Sequence, residues 1–475
     1  MAMNTVKVDL AVIGAGPAGQ KGAIQGAKSD KKVVLIDRLG LLGGACLHTG
    51  TIPSKTLRMA ILDLTGFLQS NYYGQAQRTA REILMSDLTF RVNKVIEDEN
   101  KLLAEQCAGN GVEVIYGTGR FTDSHTLEVL NAQGQISYRV ESEKFLIAVG
   151  SKPRQPIDIP HNPEVFLDSD QVFRTTQLPQ SLIVLGGGII GCEYATMFAA
   201  LGMRVLLLDR RELLRAVDGE ITGYFCEYAR QQGKMDIRIK QPIKQVRLSE
   251  DGQAEVVMED GECMRAASLF YSMGRIANLE GMQLEKAGVE LNKLGNIPVN
   301  ELFQSNCAHI YAAGDVIGPP GLASTAIEQG RLAVRNAFAM KTRSFPEFFP
   351  TGIYTIPEIS SVGPTEEELQ SQGVRYEVGR AHYKEIARGP IAGDISGMIK
   401  LIFHAETLEV LGVHIIGTHA TELISMGQMA LDFRVKADYF VETIFNYPTF
   451  AEGYRIAALD GLNKLGKGSG LKRWS

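Results

Sequence analysis

The stretch GGACLHTGTIPSK, Gly43 to Lys55, sets a thiol, Cys46, ahead of a hydroxyl, Thr51, and a cation, Lys55. The interval between Cys46 and Thr51 is the size of a small redox ring, but a disulfide needs two sulfurs and a threonine cannot supply the second. A lone thiol here cannot cycle between dithiol and disulfide within the motif. The other five cysteines (Cys107, Cys192, Cys226, Cys263 and Cys307) show no C-x-x-C and no regular spacing. They read as small apolar core residues of a chain kept in a reducing, cytoplasmic setting.

Two further clusters can do chemistry by holding phosphate. In VDLAVIGAGPAGQKGAIQGAKSDKKVVLID a β-type run enters Gly14-x-Gly16-x-x-Gly19, a helical stretch follows, and a second β-type run ends at Asp37. The first glycine makes a tight turn, the second lets backbone approach a pyrophosphate, and the third lets helix pack on strand. The helix N-terminus then turns free N–H groups toward the phosphates, and the terminal carboxylate can accept from a ribose diol. SLIVLGGGIIGCEYATMFAALGMRVLLLD repeats the device with Gly186-x-Gly188-x-x-Gly191 and Asp209, and glycine and acid are separated by 23 positions in both copies (37 − 14 and 209 − 186). One such fingerprint is weak; two with the same bounds predict two dinucleotide sites. A chain that passes hydride between FAD and a nicotinamide needs both.

The elements that must position these clusters can be read in outline. The chain has 475 residues. That length suits about three domains of roughly 150 residues each. FLIAVGSKPRQP, with Gly150, and LFYSMGRIANLE, with Gly274, each read as an apolar strand closed by a glycine turn. HIYAAGDVIGPPGLASTAIEQGRLA reads as a strand, then Gly314-Asp315, then a helix, so that an acid at the strand end can orient a ribitol or a phosphate. The expected layout is a first nucleotide domain at 1–150 and 273–345, a second inserted at 151–272, and a third region at 346–475. The fold class is α/β, with two Rossmann-like domains and an α+β C-terminal domain. TELISMGQMALDF reads as a helix whose methionines pack in a core or an interface, and KLGKGSGLKRWS as a loose tail. Net charge is −5 and charged residues are 22% of the chain. This mild acidity argues against nucleic acid as a partner. No apolar run approaches the ~20 residues needed to span a bilayer. Lys7 and Asp9 break the N-terminal run, which reads as a strand and not a signal peptide.

GAGPAG, GGACLHTGTIPSK, GGGIIGCE and AAGD, in this order and spacing, resemble the pyridine nucleotide–disulfide oxidoreductases, the group of glutathione reductase and dihydrolipoamide dehydrogenase, over essentially the whole chain. The resemblance implies an FAD domain, an inserted NAD(P) domain and a dimerisation domain, with the active site completed by the partner subunit. It implies an ion pair of Lys55 and Glu193 at the reactive flavin edge, Ile189 at the gate over the flavin face, and no metal. Gly44, Gly117, Gly150, Gly314 and Asp315 join Gly14, Gly16, Gly19 and Asp37 for FAD, and Gly274 joins the second fingerprint. Two departures stand out. Thr51 replaces the family's second cysteine, the one that exchanges electrons with the flavin. Tyr447 replaces the acid/base histidine of the family's terminal His-Pro-x-x-x-x-Glu, while Pro448 and Glu452 remain. Histidine titrates near ~6.5 and tyrosine near ~10, so the proton relay for dithiol chemistry goes with the electron relay.

GTIPSK without the second cysteine, and NYPTFAEGYRIAALDGLN at Asn446 to Asn463, resemble the soluble pyridine nucleotide transhydrogenases within that family. That resemblance implies ping-pong hydride transfer between NADPH and NAD+ through FAD in a homodimer or higher oligomer. Asp209 suits the ribose 2′-OH of NAD(H), and Arg210 or Arg211 could pair with the 2′-phosphate of NADP(H). Other readings stay open: an NAD(P)H oxidoreductase delivering to a quinone or other acceptor, a dihydrolipoamide dehydrogenase-like enzyme, or an FAD-binding scaffold.

Overall fold

The structure is a computed structural model, and it describes residues 4–38, 40–66, 83–156, 158–175 and 177–466. The tail expected to be loose lies, from residue 467 on, outside the described residues. The chain begins with β1 (Asn4–Ile13), α1 (Pro17–Ala27) and β2 (Val33–Asp37). Then α2 (Gly44–His48), α3 (Thr51–Thr65) and α4 (Met85–Gly109) lead to β3 (Glu113–Tyr116). β4 (Thr118–Asp123), β5 (Thr126–Leu130) and β6 (Ile136–Ile147) follow as an antiparallel run. The sheet order is β3-β2-β1-β6-β5-β4. β2 reads VVLID and is buried throughout, as a parallel strand covered on both faces must be. β6 is long enough to serve two neighbours on one edge: its first half pairs with β5, and Phe145–Ile147 pair in parallel with Ile310–Ala312.

β7 (Ser151–Pro153) carries the chain out of this sheet into a second one. Its elements are β8 (Phe166–Leu167), β9 (Ser181–Leu185), α5 (Ile189–Ala200), β10 (Arg204–Asp209), α6 (Gly219–Gln232) and β11 (Met235–Ile239). An antiparallel layer of β12 (Ile243–Leu248), β13 (Ala254–Met258) and β14 (Cys263–Ala266) precedes β15 (Ser268–Tyr271). The parallel order is β11-β10-β9-β15-β8. β16 (Arg275–Ala277) pairs antiparallel with β7, and β17 (Ile310–Ala312) returns to β6. The helix read after Gly314-Asp315 is α7 (Ala323–Ala337); it starts after a single 3₁₀ turn at Asp315–Ile317 and a glycine- and proline-rich link, with Leu322 at its N-cap. α7 lies close on α1 because Gly330 has no side chain: a Cβ there would stand 2.0 Å from the Ala18 carbonyl oxygen.

The third unit is an antiparallel sheet of β18 (Thr351–Ile353), β19 (Ile359–Val362), β20 (Tyr376–His382), β21 (Met398–His404) and β22 (Val410–Ile416). Its order is β18-β19-β22-β21-β20. Between these strands lie α8 (Glu366–Ser371) and α9 (Arg388–Ala392), and after them α10 (Ala420–Asp432), α11 (Ala437–Glu442) and α12 (Gly453–Lys464). The Met-rich segment is α10. It buries Ile424, Ala430 and Leu431 but leaves Met429 60% exposed, so its stripe is divided between core and a free face.

Candidate active site

The two fingerprints fold into matching turns. β1, β2, β6 and β17 end level with one another, since Ile13 is registered with Ile36 and Ile147, and Ile147 with Ala312. The crevice beyond such carboxyl ends is where open parallel sheets bind ligands. Gly14 and Gly186 both need left-handed backbone, at φ +100° and +109°, where a Cβ would be strained. Each also has a neighbouring carbonyl where its Cβ would stand: Ala148 O at 2.4 Å and Ser272 O at 2.5 Å. Gly19 and Gly191 lie behind the turns and not in the cavity wall. A Cβ on either would stand 1.8 Å from the carbonyl oxygen of Gly14 or Gly186, so these residues let each helix sit on its own turn. Asp37 Oδ2 accepts from Ala15 N at 2.8 Å, and Asp209 Oδ2 from Gly187 N at 2.6 Å. Each strand-end carboxylate therefore braces the turn that precedes it.

Both turns fit a pyrophosphate. Gly16 and Gly188 are the N-caps of α1 and α5, and neither helix start has a side-chain cap. The orphan N–H groups of these helix starts are those an anion would satisfy. A Cβ on either glycine would meet no protein atom within 4 Å and would instead occupy that space.

A single cavity of about 2740 Å³ joins the two turns. It exceeds the roughly 300–1,000 Å³ typical of a pocket for one small ligand. Its walls include Gly14, Gly16, Asp37, Gly44, Cys46, Lys55, Gly117, Gly150, Gly314 and Asp315 on one side. Gly186, Gly188, Ile189, Glu193, Asp209, Arg210 and Gly274 line the other. All the residues expected at the site are thus brought to one cavity except Gly19 and Gly191, which hold its turns from behind.

The two sides meet at Lys55 and Glu193. Lys55 stands in the second turn of α3 and Glu193 in the second turn of α5, and Lys55 Nζ donates to Glu193 Oε2 at 2.7 Å. The Glu193 side chain is 4% exposed and that of Lys55 25%. The other carboxylate oxygen, Oε1, accepts from the backbone N–H of Tyr354 at 2.8 Å, and Lys55 Nζ lies 4.9 Å from the centre of the Tyr354 ring. Tyr354 comes from the third unit. The segment after it is pinned to both helices: Ile356 N donates to Thr196 Oγ1 on α5 at 3.1 Å, and Arg58 on α3 pairs with Glu358 at 3.1 Å. The ion pair is therefore positioned from all three sheet units, which the sequence does not reveal.

A second set of residues was also missed. Asp315 Oδ2 accepts from Ser151 Oγ at 2.6 Å, and Ser151 Oγ accepts from Arg275 Nε at 2.8 Å. The Gly314 N–H is held by the buried Gln329 Oε1 at 2.9 Å. Arg275 directly follows Gly274, which was the available signal; nothing in the sequence marks Ser151 or Gln329.

Cys46 and Thr51 face each other in the cavity wall, in α2 and at the start of α3. Burial pushes the Cys46 thiol above its ordinary pKa, against a smaller downward pull from the Thr51 hydroxyl, so the thiol is not activated. No two cysteines are bonded to each other. Tyr447 is 67% exposed and stands away from the cavity wall of its own chain. Among the described residues no group of three or more His, Cys, Asp or Glu could hold a metal, and no helix is long and apolar enough to cross a membrane.

Two family models cover most of the chain. Residues 8–330 match pyridine nucleotide-disulphide oxidoreductase, and residues 349–458 its dimerisation domain. The chain is 43% identical over 458 residues to a soluble pyridine nucleotide transhydrogenase of Mycobacterium bovis, covering 96% of this chain and 97% of that protein. It is 40% identical over 467 residues to one from a Marinomonas species, covering 98% and 100%. Among solved structures it resembles LpdA from Mycobacterium tuberculosis, with a TM-score of 0.87, 26% identity, and coverage of 95% of this chain and 99% of that one. It also resembles the HOCl-induced flavoprotein disulfide reductase RclA from Escherichia coli, with a TM-score of 0.84, 25% identity and coverage of 95% and 99%. With both halves of its length matched in this way, the chain belongs to the pyridine nucleotide-disulphide oxidoreductase family.

Proposed function

We propose that the chain is a soluble pyridine nucleotide transhydrogenase, an FAD-dependent enzyme that carries hydride between NADPH and NAD+. The observation that carries this reading is the pairing of Lys55 with Glu193 beside a Cys46 that has Thr51, and no sulfur, as its neighbour. FAD, when bound, supplies a two-electron store that takes hydride from one nicotinamide and returns it to another.

The residues divide the remaining work. The turn at Gly14–Gly16 and the start of α1 hold one pyrophosphate, with Asp37 and Asp315 for the adjoining hydroxyls. Gly150 keeps the cavity wall free of a side chain, since a Cβ there would meet no protein atom within 4 Å, whereas Gly44 and Gly117 allow close backbone packing against Gly16 and Leu130. The turn at Gly186–Gly188 and the start of α5 hold the nicotinamide nucleotide, and Ile189, 38% exposed at the first position of α5, yields when the nicotinamide arrives. Lys55, fixed by Glu193, sets a cation where negative charge grows during transfer. The pair sits at the reacting end, common to both nicotinamides, so it serves NADH and NADPH alike.

Discrimination lies at the far end of the nucleotide. Both carboxylate oxygens of Asp209 already accept backbone amides, Gly187 N at 2.6 Å and Arg211 N at 2.7 Å. Each oxygen keeps capacity for a ribose hydroxyl. Arg210 and Arg211 are exposed, line the same cavity, and have no acidic partner among the described residues. They are available to a 2′-phosphate, which supports a site that takes both nucleotides. The chain works as a homodimer: its third unit exposes Phe433 (76%), Ile444 (93%) and Tyr439 (55%). This is a free apolar set of the kind an interface covers. Six unbonded cysteines support a cytoplasmic location.

The test is to mix the holoenzyme with NADPH and thio-NAD+ without oxygen and follow the thio-NADH chromophore. Catalytic turnover is expected. Bleaching of the flavin with no thio-NADH, but rapid reoxidation by a quinone, would overturn the reading in favour of another acceptor. Efficient turnover of dihydrolipoamide would overturn the argument from Thr51.

A further inference from the structure

A polar row crosses the third sheet. Ser361 on β19 is registered opposite His414 on β22, His414 opposite Lys400 on β21, and Lys400 opposite Arg380 on β20. Residues registered opposite one another share a face. Lys400 is fully buried in the otherwise apolar MIKLIFH. That is an expensive position for an ammonium unless its partners are equally fixed. They are, and they come mainly from the second unit. Lys400 Nζ donates to both oxygens of Asp218, at 2.8 and 2.9 Å, lies 3.0 Å from Glu220, and pairs with Glu366 of α8. Arg380 makes a two-pronged pair with Glu220 at 2.6 and 2.8 Å.

Asp218 is 0% exposed and is the N-cap of α6, accepting from Glu220 N and Ile221 N. It is also the point where the loop after β10 ends. That loop, residues 210–217, has one fixed end at Asp209, and its middle is tied by Leu214 N to Gly187 O at 2.9 Å. Its other end is held from the third unit by Lys400. Between these anchors stand Arg210 and Arg211 in the cavity wall, with Arg215 and Val217. Pro364, Thr365, Glu368 and His414 line the same cavity from the sheet side.

We infer that Lys400 is a positioning residue for nucleotide choice. Through Asp218 it sets the loop whose arginines meet the 2′-phosphate, so the third unit tunes NADP(H) affinity without touching the nucleotide. The inference rests on the transhydrogenase reading and on the role given there to Arg210 and Arg211. Slackening the latch shifts the loop. NADPH then loses charge-assisted contacts, whereas NADH, lacking the phosphate, loses none.

Two variants test it in the FAD-loaded dimer. Asp218→Asn keeps the capping oxygen, removes the charge, and leaves Lys400 its pairs with Glu220 and Glu366. Arg380→Met loosens Glu220 from a partly exposed position and keeps the test open if the buried variant does not fold. KM for NADPH should rise about tenfold in Asp218→Asn and about threefold in Arg380→Met, with KM for NADH within about twofold and kcat unchanged. Equal changes for both nucleotides would reduce the latch to general stability and overturn the inference, as would no change in either. The combined variant Arg210→Ala/Arg211→Ala is the control. If it raises KM for NADPH and the latch variants do not, the inference alone fails. If the unsubstituted enzyme does not oxidise NADPH, the transhydrogenase reading fails with it.

Discussion

Replacing Lys55 with methionine removes the ammonium while keeping most of the stem's length and apolar packing. The structure sets the scale of the effect. Lys55 Nζ and Glu193 Oε2 are 2.7 Å apart. At that separation and an effective dielectric of about 20, their gross attraction is about 6 kcal/mol. Most of this offsets the cost of keeping the Glu193 carboxylate, 4% exposed, away from water. Breaking a buried pair from one side costs about 3–5 kcal/mol. Lys55, a quarter exposed, places this case near the lower end. The Tyr354 N–H still supports the carboxylate at 2.8 Å, so the protein should fold and keep its flavin. Catalysis should suffer more visibly. Loss of one preorganised group facing developing charge lowers rates by about 10²–10³-fold. The assay is anaerobic stopped-flow bleaching of the bound flavin, run separately with NADH and NADPH. In the proposed function the pair serves the end common to the two nucleotides, so both rates should fall by the same factor. Glu193→Gln, which keeps the amide oxygen and the Tyr354 contact, should fall by only about tenfold because the cation remains. A Lys55→Met protein with full FAD content and reduction within about threefold of the original rate would refute the electrostatic role. A selective loss of NADPH would refute the placement of the pair at the shared end.

Three further outcomes follow from individual sites. Gly16→Ala should fold normally but retain FAD poorly, since its Cβ would enter the open space proposed above for the pyrophosphate. Gly19→Ala should lower the melting temperature even without FAD, since its Cβ stands 1.8 Å from a carbonyl oxygen; flavin content and thermal unfolding of both proteins separate the two effects. His414 is pushed below the ordinary histidine range by burial, so it stays neutral in the fold. The unfolded chain takes up a proton there below about pH 6.5. Its contribution is present above that pH and lost as pH falls, by at most about 1.4 kcal/mol per pH unit. The melting temperature of His414→Gln should therefore drop less than that of the parent between pH 7.5 and 5.5, and equal drops would count against the assignment. Cys46, its thiol raised by burial, should be alkylated by iodoacetamide at a rate still climbing with pH beyond ~9, whereas a plateau below that would mark it as an activated thiolate.

What the sequence made legible is what is local. Each fingerprint is a short stretch, and the conformations of Gly14 and Gly186 follow from their place in a tight turn, so both nucleotide turns and the parallel strands around them could be read directly. The partnership of Lys55 with Glu193 came through the resemblance, since nothing local links residues 138 positions apart. The supports of that pair were invisible for the same reason: Tyr354 reaches Glu193 from 161 positions away, and Lys400 reaches Asp218 from 182. Lys400 is also misleading locally, because a lysine within MIKLIFH suggests a solvated face, and only the sheet register shows it inside a row of polar residues. The helix read after Asp315 is present as α7, but it begins later than the acid. The glycines and prolines that follow hold the chain in a 3₁₀ turn and a link before α7, and this frees the Asp315 carboxylate for Ser151 in place of a cap.

The consequence of Thr51 reaches beyond the missing sulfur. In a dithiol enzyme the flavin has two exits, one toward nicotinamide and one toward the cysteine pair, and the acid/base group beside the pair makes the second usable. Here Cys46 is a protonated thiol next to a hydroxyl. Neither side chain can take a hydride's two electrons without a second sulfur. Tyr447, in place of the family's acid/base histidine, stands outside the cavity wall of its own chain. Electrons that enter through one nicotinamide must leave the way they came, to a nicotinamide, or to an acceptor that reaches the flavin directly; in the transhydrogenase reading the first product departs before the second substrate arrives. Such an enzyme gains nothing from separate sites for NADH and NADPH. It needs one site that admits both, with the reacting end built for their shared nicotinamide and the far end tolerant of a phosphate on one and its absence on the other. In the proposed function Asp209 would serve the hydroxyl, and Arg210 and Arg211, which line the same cavity, the phosphate.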